Sequence, residues 1–113
     1  MKKINIGVIG AGSMGKNHLR VVHSIDSLAL AAVSDSSDKT LSEVKKLYPF
    51  IETGTDYEYM ADKVDAVMVS TPTIYHYDIA RYFLERGKHV LIEKPISETV
   101  EQAQKLDALA KEK

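Results

Sequence analysis

Short apolar runs of strand length alternate with segments of helical spacing along the whole chain. Four clear runs are predicted strands, and a weaker fifth run lies near residues 50–53; the four are 4–9, 28–34, 64–70 and 89–93. Because such alternation builds parallel sheets through right-handed crossovers, helices must cover both sheet faces. The sequence therefore predicts a single α/β domain over residues 1–113, with a doubly wound sheet of five parallel strands in the order 3-2-1-4-5.

The segments between these strands carry apolar residues that recur at helical spacing. We expect the recurring residues to form the buried stripe of each helix. In chain order they are Met14, His18, Val22 and Ile25; Leu41, Val44, Leu47 and Tyr48; His76, Ile79, Ala80, Phe83 and Leu84; and Val100, Ala103, Leu106, Leu109 and Ala110. Thr99 and Gln102 have capping-box spacing at the start of the last helix, and Gly87 is a natural end for the third.

Charge and cysteine content exclude several classes of function. The formal charge is -1, so no basic field attracts nucleic acid or an anionic membrane, and small molecules or other protein chains are the expected partners. The chain has no cysteine, which excludes disulfides, thiolate metal sites and thiol nucleophiles and fits a cytoplasmic location. The histidines show no metal-binding spacing, so no metal site is predicted.

A glycine-rich loop, GAGSMG, follows the first predicted strand and opens the first helix. This G-x-G-x-x-G pattern in a strand–turn–helix context is typical of a dinucleotide-binding Rossmann fold. Gly10 permits the tight turn, Gly12 lets the backbone approach a pyrophosphate, and Gly15 lets the helix pack closely on the strand. We expect the N–H groups of Ser13 and Met14 to point at the phosphates. The alternative is a glycine-rich turn that binds nothing.

Asp35 stands at the end of the second predicted strand, 20 residues beyond Gly15. At this distance a carboxylate receives the ribose hydroxyls of the adenosine half of NAD, and we place Ser36 beside it among the cofactor contacts. An ordinary turn or helix-capping role is the alternative for Asp35. No arginine follows in residues 36–39, so only Lys39 could neutralise the charge of a 2′-phosphate. The sequence therefore predicts NAD as the cofactor, with NADP less favoured.

Two further motifs stand where predicted strands end: Ser70-Thr71-Pro72, with His76 four residues beyond the proline, and Glu93-Lys94-Pro95. With the glycine loop, in this order, they resemble the glucose-fructose oxidoreductase and inositol dehydrogenase family (Gfo/Idh/MocA) over essentially the whole chain. The resemblance implies a nicotinamide-dependent oxidoreductase that moves a hydride to or from a hydroxyl or carbonyl carbon of a sugar, an inositol or a similar polyol. Doubly wound sheets form their ligand crevice at the carboxyl ends of strands, which makes the same residues site candidates.

The resemblance also implies roles for individual residues. Thr71 and Pro72 would line the nicotinamide side, with His76 near the ribose. Glu93 and Lys94 would lie where nicotinamide meets substrate, and Lys94 would be catalytic because it could stabilise developing oxyanion charge. A packed, hydrogen-bonded histidine is the alternative for His76, and a solvated lysine before a turn is the alternative for Lys94.

Proteins of this family carry a second α/β domain that supplies the substrate pocket and the remaining catalytic residues, and the resemblance implies that this C-terminal domain is absent here. The chain alone is then expected to bind the cofactor without completing a reaction, and to form a homo-oligomer through the edge of its fifth strand or the neighbouring helix. A non-catalytic Rossmann nucleotide sensor is the alternative function, and a methyltransferase is a third class. Neither needs the Glu-Lys-Pro motif, which favours the oxidoreductase.

Overall fold

A computed structural model describes residues 3–94 and 96–112, with the side chain of Ser13 left out. Five strands alternate with four α-helices and two 3₁₀ turns. The strands are β1 (Ile4–Ile9), β2 (Leu28–Ser34), β3 (Glu52–Gly54), β4 (Ala66–Val69) and β5 (His89–Ile92). The helices are α1 (Ser13–Ser24), α2 (Asp38–Leu47), α3 (His76–Glu85) and α4 (Val100–Glu112), and the 3₁₀ turns are Tyr57–Met60 and Thr73–Tyr75.

The five strands form one parallel sheet in the order β3-β2-β1-β4-β5, which confirms the predicted topology. β1 is central: Ile6 pairs with Leu30 on one side and with Ala66 on the other. From β1 the chain adds β2 and β3 on one side of the sheet and then crosses to add β4 and β5 on the other side. Doubly wound sheets bind their ligands at this switch point, between β1 and β4.

Two separate apolar clusters cover the two faces of the sheet. Leu19 of α1 and Val44 of α2 pack with Val8 on one face, whereas Phe83 of α3 packs with Ile9 on the other. Val8 and Ile9 are adjacent in β1, so their side chains point to opposite faces. Helices therefore lie on both faces, as the alternation predicts.

The predicted helix stripes are only partly correct. In α1 the buried side chains are Leu19 and Val22, whereas Met14 is 52% exposed and Ile25 is 39% exposed. Gly15 and Leu19 are buried together with Val22, so the face of α1 that meets the sheet lies beside the predicted stripe. Leu47, the last residue of α2, and Val100, the first residue of α4, are also exposed.

The residues that begin and end helices are predicted better than the boundaries of the strands. Gly87 has φ +75° directly after the end of α3, as expected for a left-handed C-terminal residue. Thr99 Oγ1 accepts a hydrogen bond from Gln102 N at 3.1 Å, which confirms that half of the predicted capping box. β4 and β5 are shorter than predicted, and β3 begins and ends later than the weak run near residues 50–53. None of the helices within the described ranges is long and apolar enough to cross a bilayer.

Candidate functional site

A crevice of about 450 Å³ opens at the carboxyl ends of β1, β2 and β4. Most of its lining comes from residues that directly follow these strands, as expected at a topological switch point. The lining residues are Ile9, Gly10, Gly12, Ser34, Asp35, Ser36, Thr55, Tyr57, Ser70, Thr71, Pro72, Tyr75 and Ile79. The structure thus brings together seven of the predicted contacts from three separate parts of the sequence: Gly10, Gly12, Asp35, Ser36, Ser70, Thr71 and Pro72.

The three glycines of the loop face different surroundings. Gly10 has φ +91°, and a Cβ there would lie 2.8 Å from the carbonyl carbon and oxygen of Ser70. A Cβ at Gly15 would lie 1.9 Å from the Gly10 oxygen, so only glycine lets α1 pack this closely on the loop. A Cβ at Gly12 would meet no described atom within 4 Å. Gly10 and Gly15 therefore serve the fold, whereas Gly12 leaves open space over the loop.

Helix α1 begins directly at this open space. Gly12 is its N-cap and provides no side-chain cap, and the first helical turn is closed by Lys16 N donating to Gly12 O at 2.8 Å. N–H groups in the first turn of a helix lack intrahelical acceptors, and this applies to Ser13 and Met14. The positive end of the helix dipole adds to these donors, so the loop can bind an anion such as a pyrophosphate.

Asp35 ties the end of β2 to the glycine loop. Its Oδ2 accepts a hydrogen bond from Ala11 N at 2.7 Å, and its Oδ1 accepts one from Ser37 N at 2.8 Å. Ser37 rather than Asp35 caps helix α2, because Ser37 Oγ accepts from Thr40 N. Each oxygen of a carboxylate has two lone pairs, so each Asp35 oxygen can still accept a hydroxyl hydrogen. This geometry suits a ligand with two adjacent hydroxyls.

Two hydroxyls at the end of β4 have no partner among the described residues. Ser70 Oγ and Thr71 Oγ1 are buried and make no hydrogen bond. Leaving such a group unsatisfied costs about 1–3 kcal/mol. Both residues line the crevice, so a polar ligand there could relieve this cost.

His76 lies behind the crevice wall. It is 1% exposed, and its Nε2 is 2.8 Å from the carbonyl oxygen of Thr71. The ring therefore supports the Ser70–Pro72 segment from behind, which fits the packed, hydrogen-bonded histidine of the alternative interpretation.

Glu93 and Lys94 lie apart from the crevice lining. Lys94 is exposed on a neighbouring open groove of about 640 Å³ beside the start of α4. Glu93 contacts His18 of α1 through its side chain. Pro95, the last residue of the motif, lies outside the described residues.

The sequence argument missed Thr55, Tyr57 and Tyr75, which complete the crevice. Thr55 directly follows β3, so the carboxyl-end rule could have found it if the boundary of β3 had been predicted correctly. Burial raises the pKa of the Tyr57 hydroxyl, with added effects from neighbouring Glu58 and Asp78, so this side chain is a neutral hydrogen-bonding group at the crevice. Within the two described ranges, no three His, Asp or Glu side chains cluster as a metal site.

Comparison with known proteins agrees with this geometry. A model of an oxidoreductase family with a NAD-binding Rossmann fold, GFO_IDH_MocA, matches residues 4–113. The chain belongs to this family. Membership in the Gfo/Idh/MocA family confirms the resemblance found in the sequence, and it favours an oxidoreductase domain over the nucleotide sensor and the methyltransferase.

Individual relatives differ in name but share this domain. The uncharacterized oxidoreductase YdgJ of Escherichia coli K12 is 35% identical over 111 residues, 96% of this chain and 31% of that protein. An alpha-N-acetylgalactosaminidase of Shewanella oneidensis is 30% identical over 113 residues, 90% of this chain and 25% of that protein. Scyllo-inositol dehydrogenase from Lactobacillus casei, solved with NAD(H) and scyllo-inositol, has a TM-score of 0.91 at 29% identity and covers 98% of this chain and 34% of its own. The chain thus spans about a third or less of these relatives.

Gly12 and Gly15 provide a matched pair of substitutions within one loop. Gly12→Val places its side chain in open space, so the free energy of unfolding should change by about 1 kcal/mol or less, the scale of an N-cap substitution. NAD binding should be lost, because the branched side chain fills the space above the loop. Gly15→Ala directs its Cβ at the Gly10 carbonyl and should lower the free energy of unfolding by about 2–3 kcal/mol.

Urea unfolding and titration calorimetry with NAD separate these two effects. A Gly12→Val chain that binds NAD as tightly as the wild type contradicts the assignment of the loop. A Gly15→Ala chain of unchanged stability contradicts the close packing of α1.

Proposed function

We propose that this domain binds NAD in the crevice and serves an oxidoreductase that acts on a sugar, an inositol or a similar polyol. The observation that carries this proposal is the open backbone at Gly12, at the start of α1, flanked by the Asp35 carboxylate. A pyrophosphate at the helix start and a ribose at the carboxylate are complementary to these two features. The unpartnered hydroxyls of Ser70 and Thr71 would then bind polar groups of the cofactor further along the crevice.

Each end of the cofactor meets different residues in this arrangement. Asp35 and Ser36 bind the adenosine ribose, and the N–H groups of Ser13 and Met14 bind the phosphates. β4 and β5 lie on the side of β1 away from β2, which supports a nicotinamide position beside Thr71 and Pro72. His76 acts through Thr71, whose carbonyl it contacts. The bound dinucleotide supplies the hydride donor or acceptor.

Lys94 is the proposed catalytic residue. It follows Glu93 after the end of β5 and is exposed on the groove beside the start of α4. There it can donate a hydrogen bond to a substrate hydroxyl or carbonyl and stabilise the oxyanion charge that develops. Lys94 is exposed on an open groove, so a further protein surface is needed to enclose a substrate, and the chain alone should bind cofactor without completing the reaction.

The substrate class rests on two relatives. One was solved with scyllo-inositol and another is named for N-acetylgalactosamine, and both compounds are polyhydroxylated rings.

A chain without cysteine is compatible with a reducing compartment, and we place it in the cytoplasm.

Asp35 should make the domain prefer NAD to NADP. A 2′-phosphate would replace a hydroxyl donor by negative charge beside the carboxylate, and a partly exposed contact of this kind costs about 2 kcal/mol, or roughly thirtyfold in affinity. Titration calorimetry with both cofactors measures the ratio. Equal or tighter binding of NADP would overturn the preference.

Asp35→Asn is the matched control for this ratio. The amide has one acceptor oxygen where the carboxylate has two, so either Ala11 N or Ser37 N loses its partner and NAD itself should bind more weakly. The charge repulsion is removed, however, so the NAD-to-NADP ratio should fall to within about threefold. A ratio that stays near thirtyfold means that another group discriminates.

Lys94→Ala should separate cofactor binding from reaction. NAD affinity of the chain should change by less than about tenfold, because the lysine acts on substrate charge rather than on the cofactor phosphates. In a longer protein that joins this domain to a substrate domain, turnover should fall by roughly a hundredfold or more, as for loss of one oxyanion donor. Near-normal turnover without the lysine would remove it from the catalytic residues.

Self-association should involve the edge of β5. This strand pairs only with β4 in the sheet, and Leu91 on it is 58% exposed, so backbone groups and apolar surface lie together. We expect a homo-oligomer in sedimentation velocity, and Leu91→Lys should shift it toward monomer. Phe50→Lys, which changes an equally exposed apolar residue away from β5, should not. A wild-type chain that stays monomeric at high concentration contradicts this.

A further inference from the structure

Two titratable side chains that are 75 residues apart in the sequence meet beside the proposed site. His18 lies on α1 one turn after Gly15, and its Nε2 contacts Oε1 of Glu93, which directly follows β5. An ionised carboxylate can only accept hydrogen bonds, so the imidazole N–H donates. The contact joins the helix that carries the glycine loop to the residue before Lys94.

Each partner is also attached to its own element. Helix α1 is fixed against the loop because Gly15 packs on the Gly10 carbonyl. Glu93 is attached by its backbone, since its N–H donates to Val69 O at 3.2 Å. The side-chain contact with His18 therefore gives Glu93 a second attachment, in addition to its backbone hydrogen bond to β4.

The end of β5 has few other restraints. β5 is an edge strand, and its Val90 and Ile92 pack on the face that α3 covers. Glu93 follows the alternation of Leu91, so it belongs to the other face of β5, where Leu91 is 58% exposed. Without the His18 contact, the segment that leads to Lys94 would depend on its backbone hydrogen bonds to β4 and on the packing of Val90 and Ile92.

We propose that His18 is a positioning residue for the nicotinamide end of the site. It binds the Glu93 carboxylate and thereby fixes the backbone from which Lys94 extends relative to the glycine loop. The inference rests on the proposed function only in the identity of the ligand; the ordering of Lys94 is a property of the chain itself.

This role differs from a general contribution to stability. The His18 side chain is 20% exposed and that of Glu93 is 35% exposed, so water can replace either partner, and one such hydrogen bond contributes only about 1 kcal/mol to folding. Loss of the pair should therefore leave the midpoint of urea unfolding nearly unchanged, while the end of β5 becomes more mobile.

Backbone ¹⁵N relaxation of the chain tests the ordering directly. His18→Leu should lower the order parameters of the Glu93 and Lys94 amides from about 0.85 toward 0.6, the range that separates rigid from flexible backbone. The Gly12 and Asp35 amides should not change. His18→Gln keeps an N–H donor and should restore most of the order. His23→Leu, on the same helix but outside the site, is the matched control and should resemble the wild type.

Glu93→Ala provides an independent route to the same result if His18→Leu fails to fold. It should raise the mobility of Lys94 as His18→Leu does, and the double variant should be no more mobile than either single variant. Unchanged Lys94 order parameters in the single variants overturn the proposal, and so do single effects that simply add.

Ligand binding tests whether the ordering of Lys94 affects the nicotinamide end of the cofactor. ADP-ribose lacks only the nicotinamide, so His18→Leu should weaken NAD binding by about fivefold, equivalent to about 1 kcal/mol, and leave ADP-ribose binding unchanged. Equal weakening of both ligands contradicts a role at the nicotinamide end. If the wild type binds neither ligand, the proposed function fails while the relaxation experiment still decides the positioning role of His18.

Discussion

The close approach of helix α1 to the end of β1 is the constraint on which the rest of the structure depends. The Gly15 backbone lies so near the Gly10 carbonyl that a Cβ would come within 1.9 Å of that oxygen. This contact aims the start of α1 at the carboxyl edge of the sheet. Gly10 has φ +91° and lies so close to Ser70 that a Cβ would come within 2.8 Å of the Ser70 carbonyl. The end of β4 therefore lies next to the glycine loop. Two contacts without room for a side chain thus define both walls of the crevice.

The Asp35 carboxylate makes this crevice rigid before any ligand arrives. Hydrogen bonds to Ala11 N and Ser37 N fix the carboxylate between β1 and α2, and Ser37 takes over the capping of α2. Ordering flexible groups on binding costs affinity, and here the protein backbone has already imposed that order. The two free lone pairs of the carboxylate are consequently held in place for a ligand. A negatively charged group near them would be repelled by a carboxylate that cannot rotate away.

The sequence predicts those features that depend on local periodicity or on the ends of strands. Alternating runs are sufficient for the order of the five strands, and the rule that ligands bind at carboxyl ends is sufficient for Asp35 and Thr71. Periodicity failed for Met14 and Ile25, because it identifies an apolar side of a helix but not which part of that side meets the sheet. The contact between His18 and Glu93 could not be predicted, since it joins residues 75 positions apart and depends on how α1 and the end of β5 come together in the fold.

The two ends of the site differ in how completely this domain builds them. The glycine loop and Asp35 are joined by a hydrogen bond from Ala11 N to the Asp35 carboxylate, whereas Lys94 lies on an open groove after an edge strand. Affinity for the dinucleotide can therefore reside almost entirely in the rigid end. Only interactions that strengthen in the transition state accelerate a reaction, and those would form around Lys94 with whatever surface closes the groove. Domains similar to this chain occur in a scyllo-inositol dehydrogenase and in an alpha-N-acetylgalactosaminidase, as expected if the rigid end serves the dinucleotide and a separate surface completes the open end.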